Sequence, residues 1–140
     1  MNGKIYIFKS PLINGEIIFK YNILGFLKKI IYPDNFKKHQ YIFIAKNFPF
    51  YEKLIEKWKE KKGNFSIKEI PIDLSFNRFW NDYNYKIGKK KMAENIWKKM
   101  SYNEKIKALS YIPKYINHIK NKNYDQAYPT TYLNQRYFDI

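Results

Sequence analysis

The feature that most constrains the fold is a pair of apolar stripes at helical spacing in the second half of the chain. Phe76, Phe79, Trp80 and Tyr83 fall at i, i+3, i+4 and i+7, and Met92, Ala93, Ile96, Trp97 and Met100 do the same on the next segment. Side chains three and four positions apart share one face of an α-helix, so each segment presents a stripe that must be buried, and the two are expected to pack together. Ser101 followed by Glu104 is a capping-box signature. It starts a third helix that carries Ile106, Leu109, Ile112 and Ile116 toward the same core. Pro113 is expected to kink or break that helix. A short terminal helix follows Tyr128-Pro129, capped by Thr130 or Thr131.

The first half has a different texture. Residues 4–9 and 16–21 are rich in Ile, Tyr and Phe, and Asn14-Gly15 between them suits a type I′ hairpin turn. Ile23, Leu24, Leu27 and Ile30/Ile31 recur at helical spacing up to Pro33, which predicts a short helix. Residues 40–45, QYIFIA, read as a buried strand. Residues 51–62 read as an amphipathic helix with Leu54, Ile55 and Trp58 on one side and Gly63 at the C-cap, and residues 66–72 as a closing strand. The expected class is α+β. Residues 1–71 form a ββαβαβ half and residues 72–140 a helical bundle of three to four short helices, the two packed as one compact unit.

Composition enters through charge. Twenty-seven Lys and Arg against 12 Asp and Glu give a net +15, an excess that attracts polyanions, nucleic acid first. Part of this has a plainer source. Lys, Asn, Ile, Phe and Tyr make up 86 of the 140 residues, all five have A/T-rich codons, and only two of the basic residues are Arg. The excess is also even, with no basic tail. The absence of Cys excludes disulfides, thiolate zinc sites and cysteine nucleophiles. Neither a signal-peptide core nor a membrane span is legible, which leads to the expectation of a cytoplasmic protein that does not engage membranes.

The constellations that catalysis needs are missing from the sequence. His39 and His118 are far apart and have no metal-binding or triad context. Gly88-Lys89 lacks the upstream glycine and the following Ser or Thr of a phosphate-binding loop. Glu52, Glu56 and Glu60 alternate with lysines on one helix and read as a solvated, ion-paired face. The chain is therefore expected to be non-enzymatic, with no metal and no cofactor.

Two motifs remain. Lys86-Ile87-Gly88-Lys89-Lys90-Lys91, with Lys98-Lys99 two turns on, places a basic cluster at the start of a helix, where free backbone N–H groups also favour an anion. It can clamp a phosphate backbone, or it can be the wet face of a helix whose other side is core. The run YPTTYLNQRYFD, residues 128–139, interleaves aromatics with Arg136, Asn134 and Gln135. That is the make-up of a single-strand stacking platform. It is equally that of a terminal helix docked by Tyr132, Leu133, Tyr137 and Phe138, with Arg136 paired to a carboxylate.

Residues 76–109 together with YPTTYLNQRYFD resemble a C-terminal helical module of phage and mobile-element proteins, several of them replication-initiation or helicase-loading proteins. The resemblance rests on Phe79, Trp80, Tyr83, Lys86, Gly88, Lys89, Ala93, Trp97, Lys99, Pro129, Thr131, Leu133, Asn134 and Arg136. Asn84, Tyr128, Tyr132 and Tyr137 depart from the module's pattern. It implies a phage-type origin and a role in DNA replication. The resulting expectation is an accessory protein that binds DNA, single strands included, through Lys86, Lys89, Lys90, Lys91, Lys98, Lys99 and Arg136, with a replication protein as a further partner. The alternative is a virion or host-interaction protein that works by protein–protein binding alone.

Overall fold

The computed structural model describes residues 2–140. The chain divides into two compact units, Met1–Ile72 and Asp73–Ile140. The class is α+β, with a four-stranded sheet in the first unit and helices filling the second.

The sheet unit runs β1 (Asn2–Lys9), β2 (Glu16–Asn22), β3 (Leu27–Ile31), α1 (Lys38–Lys46), α2 (Glu52–Lys59) and β4 (Ser66–Ile70). The strands pair antiparallel in the order β3-β2-β1-β4. Alternation along β1 and β2 sends Tyr6, Ile17, Phe19 and Tyr21 to one face, where Ile44 of α1 and Ile55 and Trp58 of α2 close the core. The phenols in this core are satisfied: Tyr6 donates to Glu56 Oε1 at 3.0 Å and Tyr21 to the Pro49 carbonyl at 2.8 Å.

The order is thus βββααβ, not ββαβαβ, and two segments exchange roles. Residues 27–31 form a strand where helical spacing predicts a helix. Asn22 Oδ1 accepts from Leu24 N and Phe26 N, and Gly25 takes φ +91°, so the chain turns back and pairs with β2. Residues 40–45 lie in helix α1 where a strand was expected. Gln40 Oε1 accepts from Lys37 N at 2.8 Å to cap the first turn, and only Ile44 of the apolar run is buried. The β1–β2 connection spans residues 10–15 instead of a two-residue type I′ turn, with positive φ at Gly15 but not at Asn14. Helix α2 ends at Glu60, three residues before Gly63.

The helical unit contains α3 (Phe76–Tyr83), α4 (Lys90–Lys99), α5 (Tyr102–Lys122) and α6 (Pro129–Asn134). Phe79, Tyr83, Ala93, Trp97, Leu109, Ile112, Tyr115, Tyr132 and Leu133 fill its core. The indole of Trp97 stacks on Phe79 with centroids 5.0 Å apart and donates to the Leu74 carbonyl at 2.9 Å. Ser101 and Glu104 form the capping box of α5 reciprocally. Pro113 does not break α5, which continues for 21 residues and is long rather than short. The proline sits on the exposed face, while burial of Leu109, Ile112, Tyr115 and Ile119 holds the helix through it. No threonine caps α6. Tyr128 is its N-cap and Pro129 occupies the first turn, where a missing N–H costs nothing. Among the described residues no helix is long and apolar enough to cross a membrane.

Candidate functional site

Helix α4 owes its orientation to Ala93 and Trp97, which point into the core and leave positions 90, 91, 94, 95, 98 and 99 outside. The chain enters α4 through Gly88 at φ +94°, a conformation that an L side chain adopts only with strain. Lys89 is the N-cap, and no side chain caps the first turn, which contains Lys90 and Lys91 and no acid. Cations at a helix N-terminus oppose the dipole, at about 0.3–1 kcal/mol each. The arrangement therefore works against stability while concentrating positive charge beside free backbone donors.

The lysines do not act as one cluster. Lys90 and Lys98 line one groove of about 400 Å³, formed with the start of α3 and of α5, to which Ser75, Asn77, Glu94 and Lys105 also contribute. Lys90 Nζ lies 5.8 Å above the Trp80 ring, and Lys105 Nζ lies 5.8 Å above Trp97, so two ammonium groups are held in place by aromatic faces. Glu94, the only acid of α4, receives a hydrogen bond from Lys98 at 3.1 Å. That bond, with the charges of Lys91, Lys98 and Lys90, holds its carboxyl below the usual value. Lys89 and Lys91 stand exposed at the start of the helix, and Lys86, on the preceding loop, donates to Asn81 Oδ1 at 3.0 Å.

Lys99 faces the other way, into a second groove of about 420 Å³ between α4 and α6. Asn134 and Gln135 reach the same groove from α6, and Met92, Asn95 and Ile96 from α4.

Arg136 joins neither groove. It follows the C-cap of α6 at φ +53°, and a Schellman pair forms there: its N–H bonds the Leu133 carbonyl and the Tyr137 N–H the Tyr132 carbonyl, both at 3.2 Å. Its guanidinium lies 3.1 Å from Asp139 and 3.4 Å from Glu104. The hydrogen bond to Asp139, with both carboxylate charges, raises its pKa further. The aromatics of the terminal run are largely committed as well. Tyr132 and Phe138 are buried, and the Tyr132 hydroxyl donates to the Ala108 carbonyl at 2.8 Å, which leaves Tyr137 partly exposed.

Sequence reasoning missed Lys105, because its place beside Trp97 depends on the packing of α5 against α4. It also missed Asn95, which reads as an ordinary wet position on α4 until α6 is placed against it. Among the described residues, no group of three or more His, Asp or Glu side chains is arranged to hold a metal ion.

Residues 71–136, 66 of the 140, match the family model described as the Legionella vir region protein LvrA C-terminal domain, a span that takes in α3 to α6. No curated protein and no solved structure matches the chain.

Proposed function

We propose that the chain is a non-catalytic accessory protein that binds DNA, with the lysine face of α4 as its contact to the phosphate backbone. One observation carries this reading. The segment 86–99 holds six exposed lysines against a single carboxylate, and that carboxylate is already bonded to Lys98. Clustered ammonium groups bind phosphates by releasing condensed counterions and need no further geometry. The two lysines in the uncapped first turn of α4 are unfavourable for the helix itself, which is intelligible if they are there for an anion. The setting, replication of phage or mobile-element DNA in the cytoplasm, rests on the resemblance of residues 76–139. The family model that residues 71–136 match is named for a Legionella vir region.

The test is binding of the full chain to labelled single-stranded and duplex DNA at two or more salt concentrations. The expected log–log slope is about −0.7 per phosphate contact for single strands and about −0.9 for duplex. No detectable binding to either form at about 50 mM salt, where attachment is strongest, overturns the proposal. A second reading then takes its place, with the sheet unit as a protein-docking module. Phe26, Phe48 and Phe50 are about half exposed there on neighbouring loops, and such apolar surface marks interaction sites.

A further inference from the structure

We infer that the groove between α4 and α6 takes an unstacked nucleobase of a single DNA strand. This rests on the DNA-binding reading and makes it specific.

The argument begins with unused hydrogen-bonding capacity. Asn95, Lys99, Asn134 and Gln135 all line this groove, and among the described residues none of their side chains has a hydrogen bond or ion pair within the chain. Asn81 accepts from Lys86 and Gln126 donates to the Tyr83 carbonyl at 2.9 Å, while other exposed amides of the unit, Asn103 and Asn117 among them, are also unbonded; what sets Asn95, Asn134 and Gln135 apart is that they share one groove. Three free carboxamides in one groove offer donors and acceptors side by side. A nucleobase edge carries the complementary pattern, as when Asn or Gln pairs bidentately with adenine through N6 and N7.

The apolar part of the lining fits the same ligand. Met92 and Ile96 lie one turn apart on α4 beside Asn95, and Met92 is more than half exposed. An exposed thioether next to a branched aliphatic side chain gives a base a surface to lie on, since sulfur makes favourable contacts with aromatic rings. Lys99 is the cation at the rim for the adjoining phosphate, and the lysines on the other side of α4 can carry the strand onward. Duplex DNA is a poor fit, because its bases are stacked and paired, whereas a single strand can splay one out.

The groove is also built in advance. Helix α6 is fixed by the Tyr132 hydroxyl on Ala108, by buried Pro129 and Leu133, and by the Schellman turn at Arg136. Committing the aromatics of the terminal run to the core turns its amides toward α4. The strand is therefore read by base edges here, and the stacking platform suggested by the composition of that run is not needed.

The experiment compares the full chain on two oligonucleotides of equal length at equal salt, one carrying bases and one abasic throughout. The expected result is preference for the base-bearing strand by roughly tenfold, the size of an ordinary base contact. The Asn95→Ala/Asn134→Ala double variant should keep the wild-type melting temperature, because both side chains are exposed and unbonded. It should also keep wild-type affinity for the abasic strand and lose the preference. Equal wild-type binding of the two strands overturns the base inference and leaves backbone binding standing, with no variant required. A preference that persists in the folded double variant overturns the groove as its seat, and deoxyadenosine monophosphate binding as tightly as the strand overturns a DNA strand as its occupant. Failure of both strands to bind at about 50 mM salt removes this inference and the DNA-binding reading together.

Discussion

The sheet unit, residues 1–72, has 14 basic and 6 acidic residues, and the helical unit, residues 73–140, has 13 and 6. Nearly equal charge is used in different ways. In the sheet unit the densest stretch of lysines, residues 53–62, alternates with Glu56 and Glu60, and Lys4 and Lys59 converge on Glu69 at 3.1 and 3.2 Å. Those cations are part of the structure. In the helical unit six lysines fall within residues 86–99 opposite Glu94 alone, and a cluster of Phe79, Trp97, Tyr83 and Tyr132 forms the core, as Tyr6, Phe19, Tyr21 and Trp58 do in the sheet unit. Net charge, the first quantity read from the sequence, does not separate the units. The arrangement of the charge does.

If the helical unit draws its stability from its aromatic core, Trp97→Ala should be the most damaging single change, with a loss of about 3–5 kcal/mol in denaturant unfolding. A loss under about 1 kcal/mol would mean that the core is not where the structure puts it. Tyr132→Phe removes only the buried hydroxyl bond to Ala108, and about 1–2 kcal/mol is expected by the same measurement. The two units should then part company over their acids. Glu69→Gln strips Lys4 and Lys59 of their shared partner and should lower stability by about 0.5–1 kcal/mol, discounted for solvent screening. Glu94→Gln should lower the melting temperature less than Glu69→Gln does, since it breaks one exposed pair on a single helix, and should tighten DNA binding, since it removes the only negative charge of α4. The reverse pattern in thermal melts and binding curves would erase the distinction.

The sequence announced the two units unequally well. Apolar positions at a 3.6-residue period run the length of α3 and α4, the Ser101–Glu104 box marks the start of α5, and these helices form there. The sheet unit has shorter runs. Five or six apolar residues such as QYIFIA fit a buried strand or one side of a short helix equally well, and only the Gln40 cap and the cover that the sheet requires decide it. Leu27–Ile31 reads as helix because Ile23 to Ile31 match helical spacing, while the turn that overrides it depends on Asn22 reaching forward to two backbone donors. At the candidate site, the lysine run is visible in sequence, but its division is not. Which side of α4 each lysine serves is set by Trp97 and Ala93 entering the core, and Asn95 comes to line one groove with Asn134 only once α6 docks.

The most direct test exchanges arrangement against net charge. Two triple variants each lose three positive charges: Lys89→Gln/Lys90→Gln/Lys91→Gln at the start of α4, and Lys57→Gln/Lys61→Gln/Lys62→Gln on the sheet unit. The salt dependence of single-strand DNA binding is measured for both beside the parent chain. The first variant should bind more weakly and flatten the log–log slope by up to about 2, three phosphate contacts at about 0.7 each, while the second keeps the parent slope. Equal flattening by the two would contradict the account and reduce DNA binding to the chain's overall charge.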